Sequence, residues 1–212
     1  MIIPNRQISL LPSTVRDLFL QWTDFMYRRI RFNMPHSELH AAAHSERVLL
    51  YALLIGERTF ADDGRALEIL AHAAVFHDTC RLDEYLDTGH GTRAAAYYKS
   101  FCDTDTGIAY HPESACLMRY HDRDDNIGKA AIAKAFSDDA AGAVLLYEAF
   151  KDADALDRWR LGRYGLDIRF LRTDAARSLS DYAKSIVEET VPEALRRHIE
   201  EEMESLLKSE EK

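Results

Sequence analysis

Between Val15 and Ile30 the apolar residues Val15, Leu18, Phe19, Trp22, Phe25, Met26 and Ile30 recur at intervals of three and four, which lays one stripe along a helix. Pro12, Ser13 and Thr14 stand where that helix should start, and Asn33 and Pro35 where it should end. A second helix is predicted from Ser37 to about Phe60, with Leu39, Ala43, Val48, Leu49, Ala52 and Ile55 as its buried face, and Asp62, Asp63 and Gly64 break it. The third, from Arg65 to His77, contains ALEILAHAAVFH, which is apolar almost all round. A helix with that pattern must be surrounded by others, so it is expected to form the core of the fold. The text then turns polar: TCRLDEYLDTGHGT, with two glycines, is the segment best suited to line a site.

Short helices are predicted near 91–101, 112–121, 128–135 and 139–150, and DADALDRWRLGR (152–163) reads as another. A further helix near 173–190 carries Ala176, Leu179, Tyr182, Ile186 and Val187 inward. Pro192 opens the last one, which runs into the charged end EEEMESLLKSEEK. No strand alternation, internal repeat or long linker interrupts this pattern. The expectation is a single all-α domain over 1–212.

Composition narrows the function classes. With 47% hydrophobic and 30% charged residues over 212 positions, the chain can bury a sizeable core, which excludes collagenous and largely disordered classes. No apolar run reaches the ~18–20 residues that cross a bilayer, and MIIPNRQISLLP lacks the features of a secretory leader. A cytoplasmic protein without a membrane partner is therefore expected. A formal charge of −9 disfavours nucleic-acid polymers as partners. Cys80, Cys102 and Cys116 have no CxxC spacing, which argues against a disulfide framework or a zinc ribbon.

Candidate chemistry lies in the nine histidines. His44 stands in HSERV, the adjacent pair His77 and Asp78 ends the most apolar helix, and Asp154 stands in DADALD. A divalent cation needs several imidazole or carboxylate ligands converging on one point, and rigid core helices can bring them from distant parts of a chain. Side chains of His77 and Asp78 leave a helix about 100° apart, so both reach one ion only if it sits just beyond the helix end.

These three segments, in this order, resemble the HD-domain superfamily of metal-dependent phosphohydrolases, over about Leu39 to Arg163. The family pattern is a histidine in an HxxRV helix, a buried helix ending in HD, and a later aspartate in a segment like DADRLD. The resemblance implies a helical bundle with an HD-like core at about 39–163 and helical extensions at 12–32 and 173–208. It implies His44, His77, Asp78 and Asp154 as metal ligands, with Asp152 the fallback for Asp154. His90, opening HGTRAAAYY, and His121, closing SACLMRYH, are similar to histidines that some members add for a second metal, which Asp78 would bridge. The cofactor is then one or two divalent ions per chain, with Mn²⁺, Mg²⁺, Fe²⁺, Co²⁺, Ni²⁺ and Zn²⁺ all open. His111 competes with His90 and His121 for a ligand or substrate-binding role. His40, one turn before His44, is open between a supporting, a substrate-contacting and a purely packed role, whereas His36, His72 and His198 receive none.

The implied activity is hydrolysis of a small phosphorylated metabolite, of which a nucleotide is the favoured kind, by metal-activated water. Asp78 and Arg81 are the catalytic expectation. Arg81 stands where many relatives of the HD pattern carry a lysine, and Arg47, Arg158 and His111 join it as substrate-binding candidates, with Arg93 and Arg163 further cations and Asp83 or Glu84 proton acceptors. The chain departs from the pattern in lacking GYP after HD, which disfavours the cyclic-di-GMP branch, and in placing Ala155 where relatives have a basic residue. Two other readings stay open: a di-iron HD-type oxygenase, and a non-catalytic regulator that binds metal or nucleotide. A homo-oligomer is compatible with the amphipathic terminal helices.

Overall fold

The computed structural model describes residues 1–37, 39–61, 63–104 and 107–210, the side chains of 203 and 205–210 excepted. Among these residues there is no strand, and the chain is all-α. Its helices are α1 (Asn5–Ser9), α2 (Ser13–Arg29), α3 (Ala42–Thr59), α4 (Gly64–Phe76), α5 (His90–Thr104), α6 (Pro112–Tyr120), α7 (Asp125–Ala135), α8 (Ala140–Leu156), α9 (Asp174–Thr190) and α10 (Glu193–Glu210). Short 3₁₀ segments occupy Ser137–Asp139, Asp157–Tyr164 and Ile168–Phe170.

Local chemistry sets several boundaries. The carboxylates of Asp63, Asp124 and Asp139 cap α4, α7 and α8, the Thr173 hydroxyl caps α9, and Pro112 begins α6. Each supplies an acceptor for an otherwise orphaned N-terminal amide, or, for proline, removes one. The second predicted helix starts later than Ser37, at Ala42. Ser37 accepts the amides of Leu39 and His40 on its own hydroxyl, so this stretch folds as a turn. The helices predicted at 139–150 and 152–163 are instead one continuous α8 to Leu156, because FKDADAL holds no breaker. It gives way to the 3₁₀ turns that follow, and Gly162, at φ +75°, reverses the chain.

The centre of the molecule is α3 as much as α4. Every residue of α3 from His44 to Gly56 is buried, and the helix packs on α2, α4, α8 and α9. Two polar residues on α3 make that depth tolerable. Glu46 accepts the amides of Ile2 and Ile3 and the Tyr27 hydroxyl, which ties the N-terminal segment and α2 to the core. Tyr51 donates to the Ala183 carbonyl of α9. The stripe on α2 faces inward as predicted, with Val15, Phe19, Trp22, Met26 and Ile30 buried. No described helix is long and apolar enough to cross a membrane.

One close approach bears on the site. Gly91, the second residue of α5, lies against the Met118 carbonyl of α6 and the ring of His121. A Cβ there would overlap the carbonyl oxygen, so only glycine lets the two helices meet at this point. Gly91→Ala is expected to destabilise the protein by about 1–3 kcal/mol through overpacking. Chemical denaturation would measure this, with retention of wild-type stability counting against the close approach.

Candidate metal centre

His44 enters from the first turn of α3, His77 and Asp78 from the end of α4, His90 from the start of α5, His121 from the end of α6 and Asp154 from the last turn of α8. All but Asp154 are buried almost completely. Three groups of ligand atoms, each within 4.8 Å of one another, result: His44, His77 and Asp154; His77, Asp78 and His121; and His40, His44 and Asp78. These buried groups could hold a metal ion.

The protonation pattern makes the point sharper. His77 Nδ1 faces the Ala74 carbonyl at 2.8 Å, His90 Nδ1 the Asp87 carbonyl at 2.9 Å, His121 Nδ1 the Met118 carbonyl at 2.6 Å and His44 Nδ1 the Asp157 carboxylate at 2.7 Å. Each partner is an acceptor only, so each Nδ1 must carry the proton and each neutral ring turns a lone pair toward the cluster at Nε2. Those lone pairs meet in pairs: His44 and His77 at 3.1 Å, His90 and His121 at 2.8 Å. Two facing lone pairs at such distances repel unless a cation or a proton lies with them. This donor set fits a metal, and the Nδ1 partners fix each ring's orientation as metal-binding histidines require.

Asp78 stands between the two pairs. Its Oδ2 lies 3.1 Å from His40 Nδ1 and 3.6 Å from His44 Nε2, and its Oδ1 lies 3.0 Å from His90 Nε2, 3.5 Å from His121 Nε2 and 3.8 Å from His77 Nε2. Burial would raise the Asp78 pKa, but the surrounding histidines hold it well below the ordinary carboxylate range. Asp154 is shifted in the same direction: burial opposes ionisation, and His44, His77 and His121 outweigh it. Burial pushes His77 down to about 3. For His44, burial and the Arg160 charge press the pKa down, yet Asp154 and Asp157 win and raise it; for His121, Asp78 overcomes burial in the same way.

Around this cluster stands a buried charge network that spacing does not reveal. Asp157, fully buried, accepts from Arg47 at 2.5 and 3.1 Å while receiving the His44 proton. Arg160 stands 3.4 Å from the same carboxylate and donates to the Leu39 carbonyl, next to the turn that brings His40 to Asp78. The only sequence signal for Asp157 was its position as the last acid of DADALD. Asp122 is a second such residue, accepting the Gly89 amide beside His90.

Several expected roles are placed differently. Arg47 is sealed in the interior against Asp157, so it cannot reach a substrate. His111 is not at this cluster; its imidazole packs on His72, with ring centroids 4.9 Å apart. Arg81 is near, its Nη1 3.8 Å from Asp78 Oδ1, but its nitrogens are taken by the Asp83 and Tyr85 carbonyls and the His90 ring, so it braces the loop. Asp152 is fully buried and accepts from the Arg172 and Thr173 amides, the Thr173 hydroxyl and the Arg172 guanidinium. Asp154, about 200° round α8 from Asp152, takes the site-facing position. Arg93 is committed to Asp87 and the Cys80 carbonyl, Arg163 to Glu200 and Glu204, Glu84 to Ser37, and Asp83 to the Tyr85 amide.

Beside His121 and Asp154 opens a cavity of about 440 Å³, lined also by Lys151, Arg158, Tyr164, Leu166, Phe170 and Arg172. Lys151 and Arg172 are paired to Asp125. Arg158 is anchored through Nε to the Gly165 carbonyl, and no carboxylate among the described residues pairs with it.

The two neighbouring aspartates should separate by experiment. Asp152→Ala is expected to cost about 3 kcal/mol of stability, since it strands buried donors, while metal content is kept. Asp154→Asn should do the reverse, and elemental analysis with denaturant titration would detect a swap of these outcomes. Asp157→Asn should weaken metal binding about 10–100-fold, because the amide keeps one acceptor oxygen where His44 and Arg47 now use two; competition against a fluorescent chelator would read this, and unchanged affinity would count against the support role.

Comparisons with family models, with curated proteins and with solved structures find no match, so the reading of this centre rests on its own geometry.

Proposed function

We propose that the protein is a metal-dependent phosphohydrolase of the HD type, acting on a small phosphorylated metabolite of the nucleotide kind. The observation that carries the reading is the double convergence of Nε2 lone pairs on the two oxygens of one aspartate, Asp78. It favours two ions per chain. His44, His77, Asp154 and Asp78 would hold one, and His90, His121 and Asp78 the other. The bound metal would supply Lewis-acid polarisation of a phosphoryl oxygen and lower the pKa of a coordinated water.

The chain's own residues account for the rest. Asp78, kept ionised by its histidine neighbours, is available as a bridging carboxylate throughout the neutral pH range. His40, bonded to its Oδ2, holds the bridge in position from the far side. The cavity beside Asp154 would take the substrate: Arg158 at its rim suits a phosphate, and Tyr164, Leu166 and Phe170 offer apolar and aromatic surface for a base or comparable ring. Arg158 thus takes the phosphate-binding place first expected of Arg81. The oxygenase and the non-catalytic regulator differ from this reading in what the same ligands would do.

The test is to strip the protein with chelator, restore each divalent metal, and assay phosphate release from a panel of nucleotides and phosphate esters. Phosphate release that needs metal, disappears in Asp78→Asn and rises at least tenfold in KM in Arg158→Ala is the expected result. Iron at two per chain with oxygen consumption and no phosphate release would transfer the site to the oxygenase. Metal and nucleotide binding without turnover would assign it to the regulator.

A further inference from the structure

Away from the centre, the side chains of Glu68 and His72 on α4 and of His111 at the start of α6 bring a second set of ligand atoms within 4.8 Å of one another. Glu68 and His72 are four residues apart, hence on one face of the helix. His72 and His77 are five apart, about 140° round the axis, so this set looks away from Asp78. His111 comes to it across the interface between α4 and α6, its Nε2 3.7 Å from Glu68 Oε2.

Both imidazoles are in an unusual condition. His72 is fully buried and His111 is 7% exposed, yet neither Nε2 has a hydrogen-bond partner. A buried nitrogen left unpaired is rare enough to require a cause. The surroundings hold His72 in place. Tyr98 Oη accepts the His111 amide at 3.0 Å, stands 2.7 Å from His72 Nδ1 and lies 3.4 Å from the Ala109 carbonyl, to which it can donate. Where the hydroxyl donates to that carbonyl, Tyr98 accepts the Nδ1 proton of His72 and leaves the Nε2 lone pair of His72 unpaired. Tyr98 therefore orients one histidine through its ring and the other through its backbone, as an outer partner orients the ligands of a metal. Trp22, with its ring centroid 4.3 Å from that of His72, closes the apolar side of the set. Glu68 is half exposed, with its carboxylate turned to His111.

We propose that Glu68, His72 and His111 form a second metal site, independent of the Asp78 centre, which takes Zn²⁺ and clamps α4 to the start of α6. Two imidazoles and a carboxylate, with a fourth position open to water, are a donor set that zinc accepts in tetrahedral geometry. Ligand atoms about 2.0–2.2 Å from such an ion stand about 3.3–3.6 Å from one another, close to the 3.7 Å that separates His111 Nε2 from Glu68 Oε2. The site links two helices that also deliver His77 and His121 to the centre, so its occupancy would stiffen the frame on which those ligands stand.

The experiment uses the full chain, stripped by chelator and titrated with Zn²⁺ alone. Zinc per chain is read by elemental analysis after gel filtration, and the thermal midpoint is followed alongside. Glu68→Gln and His111→Asn are each expected to bind one Zn²⁺ fewer than the wild type and to lose part of its zinc-dependent rise in Tm. In Asp78→Asn, one Zn²⁺ should remain and should vanish when His111→Asn is added. Glu68→Gln alters only a half-exposed carboxylate, which keeps the result readable if His111→Asn folds poorly. Full zinc content in both single variants overturns the site, and so does an Asp78→Asn chain that binds none. If the Asp78 centre itself takes no metal, Asp78→Asn will match the wild type while Glu68→Gln and His111→Asn still lose their ion, so the two proposals fail separately.

Discussion

The bond between Arg47 and Asp157 is the constraint on which the arrangement of the site depends. Both groups are withdrawn from water, so neither can be left without the other, and the low dielectric around them makes their separation costly. Arg47 belongs to α3 and Asp157 to the turn that follows α8, so this pair fixes the register between the two helices. The same carboxylate then receives the Nδ1 proton of His44. One aspartate therefore sets both where His44 stands and which of its nitrogens points to the cluster. Arg160, on the same carboxylate, extends the network to the turn that carries His40.

From that anchor the centre acquires its chemistry through electrostatic frustration. Four imidazoles are fixed with their protons outward, and two carboxylates are held ionised among them. In an ordinary core such groups would be replaced by apolar residues of similar volume, since packing alone gains nothing from facing lone pairs. A positive charge resolves the conflict, either a proton on a ring or a metal ion, which these groups could hold. The raised pKa values of His44 and His121 express the first of these solutions. The group of Glu68, His72 and His111 shows a different conflict: its Nε2 atoms are unpaired rather than opposed.

The legible part of the fold was the part that periodicity encodes. The α2 stripe and the all-round apolar α4 marked helices close to where they lie, because face burial is a local matter. The boundary at Ser37 was misread because a serine that caps its own turn carries the same letter as one that starts a helix. DADALD read as the start of a helix, whereas nothing in the letters marks it as the last turn of a longer one.

His44, His77, Asp78 and Asp154 could be picked from the sequence, since imidazoles and carboxylates set beside apolar helical runs are costly to bury and so invite a reason. Tertiary structure alone decided that Arg47 faces an interior carboxylate rather than a substrate, that Asp152 secures the start of α9, and that His111 joins His72 instead of the centre. Helical spacing tells which residues share a face. Which faces meet depends on contacts between segments more than a hundred residues apart, as between His44 and Asp157, and no local pattern records them.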